Sequence, residues 1–352
     1  MPHVEKLYPL LFTPNLHAKV WGGNRLKPYK KQPGSSEPIG ESWEISVVPS
    51  AVSTVCNGPL AGSSFTDVVA EYGASLLGGG VYEKYGGEFP LLVKFIDAAD
   101  DLSIQVHPDD ELAQRLEGKN GKTECWYIID ALPGAYLYAG ISKPVTKEEY
   151  RHRVADGTIC EILAKHEVKK GDVFYLPAGR IHAIGGGIML AEVQQNSDVT
   201  YRIFDYNRPG LDGKPRQLHT EQAIQAIDFN VEDEYRTLYD SEEERANPCI
   251  ESPFFTVRVL DTSKPFHRNL LKYDSFIVSM CLEGDCVIQI RSTGDSILLR
   301  EGYTCLIPAS VADYDVIPQN AAGKTRMLDA YINNKNNNLV NRVTRFLHLT
   351  DK

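Results

Sequence analysis

No run in the 352 residues approaches the roughly 20 uninterrupted apolar residues that a helical membrane span needs. The opening segment MPHVEKLYPLLF lacks the basic, apolar and small-residue blocks of a secretory signal. A cytoplasmic protein without membrane partners is therefore expected. Basic charge is also short. Lys and Arg number 37 against 47 Asp and Glu, giving a formal charge of −10, which argues against a nucleic-acid binder. It does not exclude a small anionic substrate, because a pocket can be locally basic on an acidic protein. There is no CxxC pair, and the cysteines (Cys56, Cys125, Cys160, Cys249, Cys281, Cys286 and Cys305) are seven, an odd number. Several sit within apolar runs such as TECWYII and YTCLIP. Disulfide-scaffold and zinc-knuckle readings fail, and reduced core thiols fit better.

Short apolar runs broken by Gly, Pro, Asn and Asp dominate what is present: FPLLVKFIDAA, ECWYIIDALPGAYLYAGI, GDVFYLPAGRIHAI and GIMLAEVQQNSDVTYRIFDYN. Turn-bounded strands of this kind predict a mainly β sandwich or barrel with a few short helices, not a doubly wound sheet. Helical spacing occurs in SFTDVVAEYGASLLG, DDELAQRLE, TKEEYRHRVADG and HTEQAIQAI, the first three opening on Ser, Asp or Thr as caps. The acidic stretch VEDEYRTLYDSEEERANP, residues 231–248, reads as a connection between a first lobe (1–230) and a second (249–352). Strands resume to about Ile332, and NNKNNN (333–338) reads as an exposed turn before a short terminal segment.

A weak internal repeat supports two related lobes. KGDVFYLPAGRIHAI, from Lys170, overlays EGYTCLIPASVADYD, from Glu301: Gly171 meets Gly302, Leu176 meets Ile307, Pro177 meets Pro308 and Ala178 meets Ala309. In that overlay His182 of the first copy faces Asp313 of the second. A metal site built on His182 would then survive in the first lobe only, leaving the second to support it.

LSIQVHPDD supplies Gln105 and His107, two residues apart and so on one face of an extended strand. Seven of the nine histidines (His3, His17, His152, His166, His219, His267 and His348) lie in terminal, polar or helical surroundings suited to surface imidazoles. His182 differs: it follows the strand and turn YLPAG and precedes AIGGG, whose glycines permit a close backbone approach. Glu124 in KTECWYII heads an apolar strand with Lys122 two positions earlier, and a carboxylate there needs a partner. Gln105, His107, Glu124 and His182 together offer two imidazoles, a carboxylate and an amide oxygen, a set suited to a borderline divalent ion, zinc first. Spacing alone equally accommodates two unrelated sheet histidines and a rim glutamate. Further on, LAEVQQNSDVTYRIFDYNR adds Glu192, Asn196, Asp198, Arg202, Asp205 and Arg208, and strand alternation lets Glu192 and Arg202 share a face. A polar sheet face laced with ion pairs is the plainer alternative. Arg202, between Tyr201 and Ile203, is suited to a carboxylate or phosphate.

SIQVHPDD, KTECWYII, YLPAGRIHAIGGG and QQNSDVTYRIFDYNR, in this order and with VWGGNRL and GESWEIS before them, closely resemble the short bacterial form of the type I mannose-6-phosphate isomerases. The resemblance runs from about Pro9 to Ile332. It implies two cupin (jelly-roll) lobes, the first (1–230) metal-binding and catalytic with small helical insertions, the second (249–352) degenerate and without a metal site. It further implies that His107, Glu124 and His182 bind one zinc ion, with Gln105 as a fourth ligand. Arg202 would be the catalytic arginine, Glu192 and Lys122 active-site residues, and Ser103, with Lys122 and Arg202, substrate-binding. The short form lacks much of the longer enzymes' helical domain, so contacts to the phosphate carry over least.

The reaction so implied interconverts mannose 6-phosphate and fructose 6-phosphate through a cis-enediol. Glu192 and Lys122 are the candidates for proton transfer, and Glu192 is the base preferred here. Two His and one carboxylate also describe the iron(II) triad of cupin oxygenases. A non-catalytic sugar-binding cupin is the third reading, although Glu192, Lys122 and Arg202 together exceed what binding alone requires. No feature selects an oligomeric state.

Overall fold

The computed structural model describes residues 3–30, 37–319 and 323–333. Beyond Asn333, the expected turn through Asn338 and the terminal segment with His348 lie outside the described residues. The described chain is mainly β, and it forms two compact units that are discontinuous in sequence. One comprises residues 14–51 and 91–238; the other comprises 1–13, 52–90 and 239–352.

The 14–51/91–238 unit is a sandwich of two antiparallel sheets. One sheet has seven strands in the order Arg236–Thr237, Val173–Leu176, Glu124–Ala131, Ile188–Gln195, Leu91–Ala98, Asn15–Gly23 and Ile39–Ile45, the last also pairing with Leu91–Ala98. The other has five: Tyr201–Phe204, Ile104–Val106, His182–Ile184, Tyr136–Ile141 and Leu163–Glu167. Period-two alternation sorts their side chains. Trp126, Ile128, Phe174 and Leu190 from the first sheet meet Leu137 and Ile184 from the second in the core between them. Ile104, Val106, Ala183 and Ile203 point the other way, under Tyr150 of helix Lys147–Ala155 and Ile224 of helix Thr220–Ala226. Helices cover this outer face because a sheet with apolar residues on both sides must bury both.

Cap chemistry matches the expected helices in two of three cases. Asp109 accepts from Leu112 N at 2.8 Å ahead of helix Asp110–Glu117, and Thr146 accepts from Glu149 N at 3.1 Å. Each such cap contributes about 1 kcal/mol. Ser64, ahead of helix Phe65–Leu77, makes no capping bond; its hydroxyl pairs with Thr66 Oγ1. The turn AIGGG holds its close approach within the sandwich itself: a Cβ on Gly185 would lie 2.1 Å from Tyr136 O, and Gly187 has φ +89°.

The second unit repeats the plan. Its six-stranded sheet runs Leu10–Leu11, Thr304–Ile307, Ile277–Glu283, Thr325–Tyr331, Thr256–Thr262 and Arg245–Glu251; its four-stranded sheet runs Phe266–Asn269, Asp313–Pro318, Cys286–Ile290 and Ser296–Leu299. Its bounds differ from the continuous 1–230 and 249–352 division expected from sequence. Packing explains why. Leu10 and Leu11 extend the six-stranded sheet by pairing with Leu306 and Cys305, while Phe65 meets Phe89 edge-on at 5.0 Å and Phe89 packs at a tilt against Phe276 at 4.7 Å. Asp274 also receives the N–H groups of Gly79 and Gly80.

The repeat seen in sequence has a structural counterpart. Gly171 (φ +92°) and Gly302 (φ +81°) each turn the chain into a strand that ends before Pro177 or Pro308, and His182 and Asp313 each open the next strand. Ladder pairings then put Ile277 in the place of Glu124, Asn269 in that of Gln105 and Asp329 in that of Glu192. Asp313, in the place of His182, pairs with His267 at 2.6 Å.

Candidate active site

Two transverse rows of side chains, one per sheet, build the site between the layers. On the seven-stranded sheet, Trp43, Lys94, Glu192, Trp126 and Phe174 are successive cross-strand partners, so all five point to one face. Glu124, two residues before Trp126, joins that face. On the five-stranded sheet, Arg202, Gln105 and His182 form the facing row. Glu192 and Arg202 thus approach from opposite sheets, not from the shared face expected from alternation.

His107, Glu124 and His182 offer ligand atoms that all lie within 4.8 Å of one another, the one such group of three among the described residues. All three are buried. Val199 O lies 2.9 Å from His107 Nδ1, and Arg180 O lies 2.8 Å from His182 Nδ1. A carbonyl can only accept, so each Nδ1 carries the proton and each Nε2 lone pair is left to face inward, the tautomer a metal ligand needs. The Nε2 atoms lie 3.2 Å (His107) and 3.6 Å (His182) from the Glu124 carboxylate. Gln105 joins through its amide nitrogen, 3.2 Å from His182 Nε2.

Glu124 Oε2 has no hydrogen-bond partner among the described residues although the side chain is fully buried. An orphaned carboxylate oxygen beside two inward lone pairs fits a cation. Protein charge partly fills that need, since Lys122 Nζ reaches His107 Nε2 at 3.1 Å and also contacts Glu124 Oε1. Burial, reinforced by Lys122, pushes the His107 pKa down to about 4, and burial lowers that of His182. Burial would raise the Glu124 carboxyl, but Lys122 and the imidazoles outweigh it and hold it well below the usual range. Neutral imidazoles and an ionised carboxylate are the forms that bind metal.

Beside this cluster lies a cavity of about 170 Å³. Gln105, Lys122 and Glu192 line it, with Ser103 and Arg202 on one side and Lys94, Glu41 and Lys19 on another. Ser103, Gln105, Lys122, Glu192, Asp198 and Arg202 are therefore brought together beside His107, Glu124 and His182, whereas Asn196, Asp205 and Arg208 do not line the cavity. Arg202 Nε donates to Ser103 Oγ at 3.3 Å and Nη1 to Gln217 O at 2.9 Å. Glu192 Oε1 lies 2.9 Å from Lys94 Nζ, and Glu192 Oε2 accepts from Trp126 Nε1 at 2.9 Å. Lys19, Lys94, Lys122, Arg202 and Arg216 outnumber Glu41, Glu192 and Asp198 around the lining, so the cavity is locally basic on an acidic protein.

Lys94, Glu41, Trp43, Trp126 and Arg216 join the site without a role expected from the sequence. A signal existed for Lys94, a lone lysine in the apolar run FPLLVKFIDAA, and for Glu41 and Trp43 within GESWEIS. His17, expected as a surface imidazole, packs against the Trp43 ring at 4.6 Å.

A double-layered antiparallel jelly roll holding inward-facing histidines and a glutamate defines a cupin-type metalloenzyme. The family model described as the catalytic domain of type I phosphomannose isomerase matches residues 10–127. A mannose-6-phosphate isomerase of Streptococcus mutans is 42% identical over 253 residues, 71% of this chain and 77% of its own length. The mannose-6-phosphate isomerase ManA of Bacillus subtilis is 37% identical over 280 residues, covering 79% and 86%. The crystal structure of a B. subtilis mannose 6-phosphate isomerase superposes with a TM-score of 0.81 at 31% identity, covering 92% of this chain and 99% of that one. The chain belongs to the type I phosphomannose isomerase family, whose members are metal-dependent aldose–ketose isomerases. These relationships support the isomerase reading over an iron oxygenase or a non-catalytic sugar-binding cupin.

Proposed function

We propose that this chain interconverts mannose 6-phosphate and fructose 6-phosphate in the cavity between the two sheets, with one zinc ion held by His107, Glu124, His182 and Gln105. The observation that carries the reading is the pair of Nδ1-anchored imidazoles converging on the orphaned Glu124 oxygen, beside a basic cavity that also contains a buried carboxylate. Two imidazoles, a carboxylate and an amide oxygen suit zinc and leave room for substrate oxygens. When bound, the ion supplies Lewis-acid polarisation of the sugar oxygens.

The chain's own groups do the rest. Glu192 takes the proton from C2 of the open-chain aldose and returns it to C1 of the cis-enediol. Lys122 hydrogen-bonds the O1 and O2 oxygens, whose hydroxyl proton changes place as the double bond moves. Arg202, steadied by Ser103 and Gln217 O, stabilises negative charge on those oxygens. Arg216 adds a second guanidinium on the lining for the dianionic phosphate. Among the described residues no helix is long and apolar enough to cross a membrane. A phosphorylated-sugar substrate and cysteines that form no disulfide among the described residues agree with a cytoplasmic setting.

The test is an isomerase assay between the two sugar phosphates with metal analysis on the same sample, repeated after chelation and after zinc is restored. Activity that is lost with the metal and returns with zinc is the expected result. A zinc-loaded, inactive protein would leave the ligand cluster standing and move the search to other sugars.

A further inference from the structure

We infer that Trp126 is a positioning residue that aims the Glu192 carboxylate, an inference that rests on the reading of Glu192 as the proton-transfer base. Trp126 is fully buried and does not itself line the cavity, so any effect it has on the reaction passes through its neighbours. Its indole N–H can only donate, and a buried donor must find an acceptor. The acceptor is Glu192 Oε2, 2.9 Å away and directly opposite in strand register. The second oxygen faces Lys94 Nζ at 2.9 Å from the strand on the other side. Glu192 on the central strand is thus held between a hydrogen-bond donor, Trp126, on one neighbour and an ion-pair partner, Lys94, on the other, and a carboxylate so held cannot rotate freely about its last torsion.

Trp126 also touches the ligand cluster. Its ring meets the His182 imidazole edge-on, with centroids 5.2 Å apart at 86°, and it lies two residues from Glu124 on the same face of one strand. One rigid side chain therefore spans the distance between the proton-transfer group and the metal ligands. A tryptophan serving only as core needs no carboxylate partner; a backbone carbonyl would satisfy its N–H. Here the donor is spent on an acidic group that lines the substrate cavity, forming a charge-assisted bond.

Two replacements separate the bond from the packing. Trp126→Phe removes the N–H and some volume. Incorporation of 3-benzothienylalanine at position 126 keeps the shape and replaces only the N–H by sulfur, which guards against a variant that merely fails to fold. Each is made alone and with Glu192→Gln, and kcat, KM for mannose 6-phosphate and metal content are measured. The expected result is a kcat about 10- to 100-fold lower, with KM and metal content near those of the parent. In the Glu192→Gln background the same replacement should change the residual kcat by less than about threefold, as groups acting as a unit do. An isosteric variant with full kcat, while Glu192→Gln is impaired, overturns the inference and leaves the base reading intact. So does an effect that persists undiminished without Glu192, or one explained by lost metal. Near-normal turnover of Glu192→Gln alone removes the base reading and this inference with it.

Discussion

Lys94 Nζ and Glu192 Oε1 lie 2.9 Å apart, on directly opposed residues of adjacent antiparallel strands, with both side chains buried. Burial alone would favour the neutral amine, but Glu192 and Glu41 outweigh it and raise the Lys94 pKa above its ordinary value. Lys94 therefore remains an ammonium inside the cavity wall. Removing one member of a buried pair strands the other charge, at a cost of about 3–5 kcal/mol. Lys94→Met is expected to lower stability by that order and to reduce kcat by about 10²-fold or more, while metal content is retained. Urea denaturation and metal analysis of one preparation check this; an unchanged unfolding midpoint would show that the pair contributes nothing net.

Lys122 occupies the atoms a metal would take. Its Nζ reaches His107 Nε2 at 3.1 Å and contacts Glu124 Oε1, so ammonium and dication compete for one imidazole and one carboxylate. Lys122→Met keeps the apolar stem and removes the competitor. Zinc affinity, measured by competition against a chelating dye, should rise about tenfold, near 1.4 kcal/mol. Turnover should fall at the same time, by roughly 10²-fold. Equal or weaker zinc binding in the variant would contradict the competition.

Gln105 presents its amide 3.2 Å from His182 Nε2 and is paired with His182 in strand register. As a fourth ligand it would turn its oxygen to the ion. Gln105→Leu should then weaken zinc binding about 10- to 100-fold, and Gln105→Glu should restore it with an added negative charge. Affinity within about twofold of the parent in both variants would place Gln105 outside the coordination sphere.

The members of the His107–Glu124–His182 cluster stood out in the sequence because each breaks a local rule, but spacing left two unrelated histidines equally open and only the family resemblance joined them into one set. His107 and Glu124 border apolar strands, and His182 follows a proline and a glycine turn. Polar groups in such places need partners, whatever the fold. The row Trp43–Lys94–Glu192–Trp126–Phe174 was not legible, because it exists only through the register of five strands drawn from distant parts of the chain. One residue of slip would have turned each of these side chains to the other face. The discontinuous unit was hidden for a similar reason. Nothing local to Phe65 or Phe89 announces that Phe89, itself met edge-on by Phe65, packs against Phe276, which lies far along the chain, well beyond the reach of any single loop connection.

Glu41 gives the site a pH signature that can be read as stability. Burial would raise its pKa, but Lys94, Lys19 and the Trp43 N–H outweigh burial and hold it at about 2 against an ordinary 4.5. Lys19 Nζ lies 3.2 Å from Glu41 Oε2, and Trp43 Nε1 donates to that oxygen at 2.8 Å. A depressed carboxylate contributes stability that is present above its unfolded pKa and is lost as pH falls toward the folded value. The window here runs from about 4.5 down to about 2. Between about pH 5 and about pH 3 the parent should lose on the order of 1–2 kcal/mol through Glu41. Glu41→Gln, which cannot titrate, should lose less by that amount, seen as a shallower fall of its urea midpoint with pH. Parallel curves for the two proteins would mean that Glu41 is not held ionised by Lys94 and Lys19.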